Sequence, residues 1–188
     1  MKISGNDLRV GNVISYQDRM YVVMKTQHTQ PGKGGAYMCV VLRDLLSGSK
    51  KDARFRSSES IERLFIDEKE YQFLYKEGAQ YVFMNMENFD QIHVDDNMFN
   101  VSPDFLQENM MVKIGFHEGS VTFVHLPAQV VLNVVEADPV VKGQTASSSY
   151  KPAKVSNGMR IDVPPHIDVG TDIVVNTQDA SYVERFKK

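Results

Sequence analysis

Between two runs rich in β-branched and aromatic residues lies Pro31-Gly32-Lys33-Gly34-Gly35, the stretch with the most chemistry to offer. Glycines carry no Cβ and tolerate positive φ, so a backbone here can come very close to another surface. The one long cation between them is held out at an apex. Its amine can reach into a phosphate-lined cavity or accept a covalent modification. The alternative is an ordinary solvent-exposed hairpin lysine. A phosphate-binding P-loop is excluded: that motif needs glycine at position 27 and Ser or Thr at 34, where this chain has Gln27 and Gly34.

The remaining reactive residue types form no catalytic constellation. His28, His93, His117, His125 and His166 show none of the usual metal-ligand spacings, so no metal site is expected. His117 and His125 read as structural or surface groups. Cys39 alternates with its neighbours in a strand-like run and reads as a buried thiol rather than a nucleophile. The acidic pair Asp95-Asp96 is joined by no second carboxylate motif, and nothing resembles a Ser/His/Asp arrangement. Catalysis is disfavoured, and no cofactor is expected beyond a modification of Lys33 itself.

The elements that must hold this tip are strands. Residues 20–28 and 36–46 flank the turn formers Thr29–Gly35 and read as a long hairpin. Arg54-Phe55-Arg56 alternates basic and aromatic residues, as on a strand with one wet face. Further strand candidates are Tyr71–Tyr75, Tyr81–Met84, Val121–Val124, Val130–Val135, Ile161–Val163 and Ile173–Val175. A polar stretch is expected at Lys142–Lys154. One short helix is expected at Pro103–Asn109, with Ser102 as its cap, Pro103 at its first position and Asp104 in its first turn. Many short strands with turn signals between them predict all-β barrels rather than a wound α/β sheet.

The 188 residues suffice for one large domain or two to three small ones, and the composition is that of an ordinary globular protein. No apolar run approaches the ~20 residues of a membrane span. The start of the chain lacks the apolar core of a secretory signal, and the single cysteine permits no internal disulfide. A cytoplasmic home is expected. The net charge of −3 conceals an uneven distribution. Residues 1–64 carry +5 (eleven cations against six acids), residues 65–127 carry −8 (three against eleven), and residues 128–188 carry none. Such asymmetry suggests that the first block meets a polyanion while the middle faces solvent or a protein. Chance clustering on solvated faces is the alternative.

Gln30-Pro31-Gly32-Lys33-Gly34-Gly35-Ala36, in its setting between MYVVMKTQH and a strand ending Leu42-Arg43-Asp44-Leu45, resembles the bacterial elongation factor P family. The resemblance continues through Arg54-Phe55-Arg56-Ser57-Ser58-Glu59, Phe73-Leu74-Tyr75 and Glu136-Ala137-Asp138-Pro139. It extends through Lys151-Pro152-Ala153 and Val163–Gly170 to Tyr182-Val183-Glu184-Arg185, spanning essentially the whole chain in order. It implies three small β-barrel domains: an SH3-like (KOW-like) barrel at 1–64, then OB-fold barrels at 65–127 and 128–188, in an L-shaped arrangement.

By the same resemblance the protein is a non-enzymatic translation factor. It would bind the ribosome, both ribosomal RNA and ribosomal proteins, beside the peptidyl-tRNA. There it would stimulate peptide bond formation and relieve stalling at consecutive prolines. Lys33, flanked by Pro31, Gly32, Gly34 and Gly35, would reach the acceptor end of that tRNA, after a lysine-modifying enzyme adds a β-lysyl type of extension. Arg43, Lys50, Lys51, Arg54 and Arg56 are candidate phosphate contacts. Tyr182 and Arg185 are candidate tRNA contacts of the last domain, with strand-end packing as the alternative. A monomer without membrane contact is expected. Two departures from the family pattern stand out. Gln30 replaces a lysine common before the Pro-Gly-Lys-Gly, and Gly143-Gln144-Thr145-Ala146-Ser147 replaces a loop that usually reads close to Gly-Asp-Thr-Ala-Gly. The rival readings are the elongation factor P-like paralogue, which has a different tip, and a generic OB-type RNA-binding protein.

Overall fold

Alternation of apolar and polar side chains carries most of the chain into strands. The computed structural model describes residues 1–139 and 150–187. In the first block the strands are β1 (Lys2–Ser4), β2 (Val13–Tyr16), β3 (Arg19–Thr29), β4 (Tyr37–Asp44), β5 (Lys50–Arg56) and β6 (Ser60–Leu64). They pair antiparallel in the order β1-β6-β2-β3-β4-β5. On β4, Met38, Val40 and Leu42 are buried, and each contributes roughly 1.5–3 kcal/mol by leaving water. They pack with Leu8, Ile14, Tyr21, Val23, Phe55 and Ile61 into one core. The intervening Tyr37, Cys39, Val41 and Arg43 stand on the opposite, outer face.

The hairpin expected around the tip is present, with its second arm ending earlier than the sequence suggested. At Asp44 the chain turns away, because the buried carboxylate accepts hydrogen bonds from the backbone N–H of Leu46 (2.9 Å) and Ser47 (2.8 Å). Its other oxygen accepts from Arg19 Nη1 at 2.9 Å. An apolar run such as Leu42-Arg43-Asp44-Leu45-Leu46 therefore stops as a strand where a carboxylate caps a turn. Cys39 is half-buried on the outer face, not in the core as expected.

The second sheet holds β7 (Asp67–Glu77), β8 (Gln80–Asn85), β9 (Gln91–Asp95), β10 (Met111–His117) and β11 (Ser120–His125), in the order β11-β10-β7-β8-β9. Phe73, Tyr81, Phe83 and Phe99 pack ring against ring with centroids 5.0–6.3 Å apart. The third holds β12 (Gln129–Ala137), β13 (Lys151–Val155), β14 (Arg160–Val163), β15 (Asp172–Asn176) and β16 (Ser181–Arg185), in the order β14-β13-β12-β15-β16. The chain divides into two compact units. One comprises Met1–Asn100 with Glu108–His125, and the other Val101–Gln107 with Leu126–Lys188. Within the first unit His125 ties the second sheet to the first, its Nε2 lying 3.2 Å from the carbonyl oxygen of Leu45.

Among the described residues there is no α-helix. The helix expected at Pro103–Asn109 is a single 3₁₀ turn at Pro103–Phe105, although Ser102 does cap it, its Oγ accepting from Asp104 N–H at 3.3 Å. The residues beyond this turn are drawn elsewhere by other partners. Gln107 donates its side-chain amide to Val131 O (2.8 Å), and Asn109 N–H donates to Phe73 O (3.0 Å). Asn109 itself has φ +64°, which ends any helix. Of the polar stretch expected at Lys142–Lys154, residues 142–149 lie outside the described residues, and its last part opens β13. No helix among the described residues is long and apolar enough to cross a membrane.

Candidate nucleic-acid interface

Residues 30–36 join β3 to β4 as an open tip. Gly32, Lys33, Gly34 and Gly35 are exposed, with Pro31 half-buried beneath them. Gly34 has φ +115°, a conformation that an L side chain rarely adopts. Nothing lies within 4 Å of where a Cβ would stand on Gly32 or Gly35, so the tip backbone is free to meet a partner closely. The base of the tip is fixed by contrast. Ser57 N–H donates to Ala36 O (3.0 Å), Glu59 Oε2 accepts from Arg56 N–H (3.0 Å), and Gly5 N–H donates to Glu59 O (2.8 Å). A stiff base under an unencumbered apex suits a side chain that must reach outward.

Four of the five basic candidates share one face. Strand pairing sets Arg56 opposite Tyr37, Arg54 opposite Cys39, and Lys50 opposite Arg43, all on the outer side of β4 and β5. All four cations are exposed, while Phe55 between two of them is 2% exposed on the core side. The expected wet face is thus present, and it leads along β5 toward the tip. Lys51 is the exception. It pairs with Leu42 on the other side of the sheet, where its ammonium lies 5.2 Å from the Tyr16 ring centroid and donates to Gln17 Oε1. Sequence period alone separates Lys51 from its neighbours.

The outer face also contains residues that the sequence reading missed. A bulge at Met24 places Val23 opposite Leu42 and Lys25 opposite Val41. Beyond it Lys25, Gln27 and Thr29 join the face of Val41, Cys39 and Tyr37. Asp52 stands opposite Val41 from the other side. The Arg54 guanidinium lies over the Tyr37 ring, 4.4 Å from its centroid. Alternation counted back from Arg54 identifies Asp52, but nothing in the sequence marks the bulge that turns Lys25 outward.

In the third sheet a second bulge puts Tyr182 and Arg185 on one face, although they are three residues apart. Tyr182 pairs with Val175 and Arg185 with Ile173, leaving Val183 as the extra residue. Tyr182 is half-buried and meets Tyr150 edge-on at 6.4 Å. Burial, then the neighbouring Tyr150 and Glu184, raise its phenol above the ordinary tyrosine range, so it is a neutral hydroxyl at physiological pH. Arg185 is exposed. The divergent loop Gly143–Ser147 lies outside the described residues. Among those described, no group of three or more His, Cys, Asp or Glu side chains is placed to hold a metal ion.

Three successive β-sheets, the first with an exposed glycine-flanked lysine beside a cationic face, define a class of all-β factor built from KOW-like and OB-type modules. Family models match it in that order: an elongation factor P KOW-like domain over residues 4–61, an elongation factor P OB domain over 66–124, and an elongation factor P C-terminal domain over 130–185. The chain belongs to the elongation factor P family. It is 50% identical over 187 residues to elongation factor P of Paramagnetospirillum magneticum, which covers 100% of both chains. It is 51% identical over 183 residues to that of Erythrobacter litoralis, covering 97% of this chain and 98% of the other. Among solved structures, a translation initiation factor eIF-5A family protein from Naegleria fowleri covers 67% of this chain and 98% of its own, with a TM-score of 0.53 and 15% identity. That likeness is one of fold. The family is one of translation factors, not of enzymes.

Proposed function

We propose that this protein acts in the cytoplasm as a monomeric factor that binds the ribosome beside the peptidyl-tRNA and speeds peptide bond formation, relieving stalls at consecutive prolines. Its working parts are an SH3-like domain at 1–64 and OB-fold domains at 65–127 and 128–188. Lys33, extended by a modifying enzyme, reaches the acceptor end of the tRNA. Arg43, Lys50, Arg54 and Arg56 meet phosphates, and Tyr182 and Arg185 contact tRNA from the last domain. The observation that carries this reading is the exposed Lys33, set on a glycine-flanked tip above a fixed base and beside a cationic sheet face.

The physics requires no acid or base from the protein. The proline ring restricts its own backbone and makes its amine a poorly placed nucleophile. Holding the acceptor end in register removes part of the entropic barrier, and about 3 kcal/mol is on the order of 100-fold in rate. Glycines permit the approach, and a cation on a long stem supplies donors to phosphate and sugar oxygens.

The test times synthesis through a run of three prolines in a reconstituted translation system, using protein isolated from its own cells. Faster passage, with little change on a proline-free message, is the expected result. Lys33→Ala loses most of that rescue while its unfolding free energy stays within about 0.5 kcal/mol of the parent, because the side chain is exposed. Rescue at the parental level, or a lost midpoint, sinks the assignment of Lys33.

A further inference from the structure

On the outer face of the first sheet, Val41 and Cys39 on β4 form the floor of a trough. The register sets Lys25 and Gln27 of β3 along one side and Asp52 and Arg54 of β5 along the other. Neighbouring strands lie ~4.8 Å apart, so the two walls stand about 10 Å apart over two short, half-buried side chains. The space between them is about 400 Å³. Tyr37, with the Arg54 guanidinium over its ring, is the next outer-face residue of β4 toward the tip.

Asp52 is the anomaly. Lys50, Arg54 and Arg56 share its side of β5, so a lone carboxylate interrupts a cationic row, and among the described residues it forms no ion pair. A carboxylate facing a phosphate chain is repulsive. It becomes favourable only where the ligand presents hydrogen-bond donors, and in RNA those are carried by base edges and sugar hydroxyls rather than phosphates. The trough is apolar along its floor and polar on both walls, which suits a flat ring lying on Val41 and Cys39.

We propose that this trough binds one unpaired guanine. Its N1–H and N2 amino group donate to the Asp52 carboxylate, and Lys25 on the opposite wall donates to N7. Uracil fits badly, because its single N3–H lies between two carbonyl oxygens that would face the carboxylate. The inference rests on reading the first sheet as facing RNA, and it adds base selection to what would otherwise be contact with phosphate alone.

The full-length protein, labelled with nitrogen-15, is titrated separately with GMP, UMP and inorganic phosphate. GMP is expected to shift the amide resonances of Cys39, Val41 and Asp52 saturably, about tenfold more tightly than UMP. Asp52→Asn, at an exposed position, is expected to fold normally and to lose that preference. Equal response to UMP, the same shifts from phosphate alone, no shift at those amides, or an unchanged preference in Asp52→Asn would each overturn the proposal. The same preparation is timed through three prolines. Rescue without guanine selection sinks the trough alone, whereas guanine selection without rescue sinks the ribosomal reading and leaves the trough standing.

Discussion

Gly115 and Gly34 occupy opposite situations. At Gly115 on β10 a Cβ would stand 2.4 Å from two ring carbons of Phe123. That ring is fully buried and stacks on His125 with centroids 4.0 Å apart, so it has nowhere to go. Gly115→Ala should therefore destabilise the protein by about 1–3 kcal/mol, the usual cost of overpacking, and lower the melting midpoint by several degrees. An unchanged midpoint would mean that the aromatic stack yields. At Gly34 the demand is conformational, since φ is +115° and only Pro31 Cγ, at 3.9 Å, comes near an added Cβ. One glycine makes room for a core ring, and the other frees a backbone that faces outward. The Pro-Gly-Lys-Gly-Gly spacing makes the second legible in the sequence. The first is invisible there, because its reason is a ring on the neighbouring strand.

Strand β11 illustrates how an element ties sheets together and how pH acts on that tie. The Leu45 carbonyl can only accept, so His125 donates from Nε2, and the ring is stacked between this bond and Phe123. Burial lowers the imidazole pKa below 6.5, against the opposing effects of the Leu45 bond and Glu68 on β7, while Arg43 on β4 and Lys113 on β10 lower it further. The unfolded chain protonates this histidine near 6.5 and the folded chain does so only at lower pH. Stability is therefore complete above 6.5 and falls as pH drops below it. Thermal midpoints measured at pH 7.5 and below 6.5 should differ more for the parent than for His125→Gln, in which the other histidines still titrate. Equal differences would refute the assignment. The sequence pattern identified the strand Val121–Val124 that ends beside His125, and it identified the arms of the β3–β4 hairpin from their apolar alternation around a glycine-rich turn. It did not reveal β1, β2, β6, β9, β10, β13 or β16. β13 opens on Lys151-Pro152, β10 contains Lys113 and Gly115, and β9 holds two apolar residues among polar ones. Nor did it reveal the bulges at Met24 and Val183, which decide that Lys25 joins the outer face and that Arg185 shares a side with Tyr182. A bulge is set by pairing with a partner strand, and one strand read alone contains no partner.

Across the whole molecule the net charge of −3 says little, and its distribution says more. The first sheet gathers Arg43, Lys50, Arg54 and Arg56 on one side, whereas exposed carboxylates such as Glu87 and Asp90 crowd the second. If the first sheet meets RNA, its binding must release counterions, and the dependence on salt must originate from that sheet. Each phosphate neutralised contributes about 0.7–0.9 to the slope of log affinity against log salt. Replacing Arg54 and Arg56 together by alanine should therefore weaken ribosome binding and make the slope shallower by roughly 1.5 when salt is varied from about 50 to 200 mM. Replacing Glu87 by glutamine and Asp90 by asparagine should leave the slope where it was, since a surface facing solvent or protein releases no phosphate counterions. A slope insensitive to the two arginines, or one moved equally by the two acids, would mean that the cationic face is merely solvated and that affinity for the ribosome comes from elsewhere on the chain.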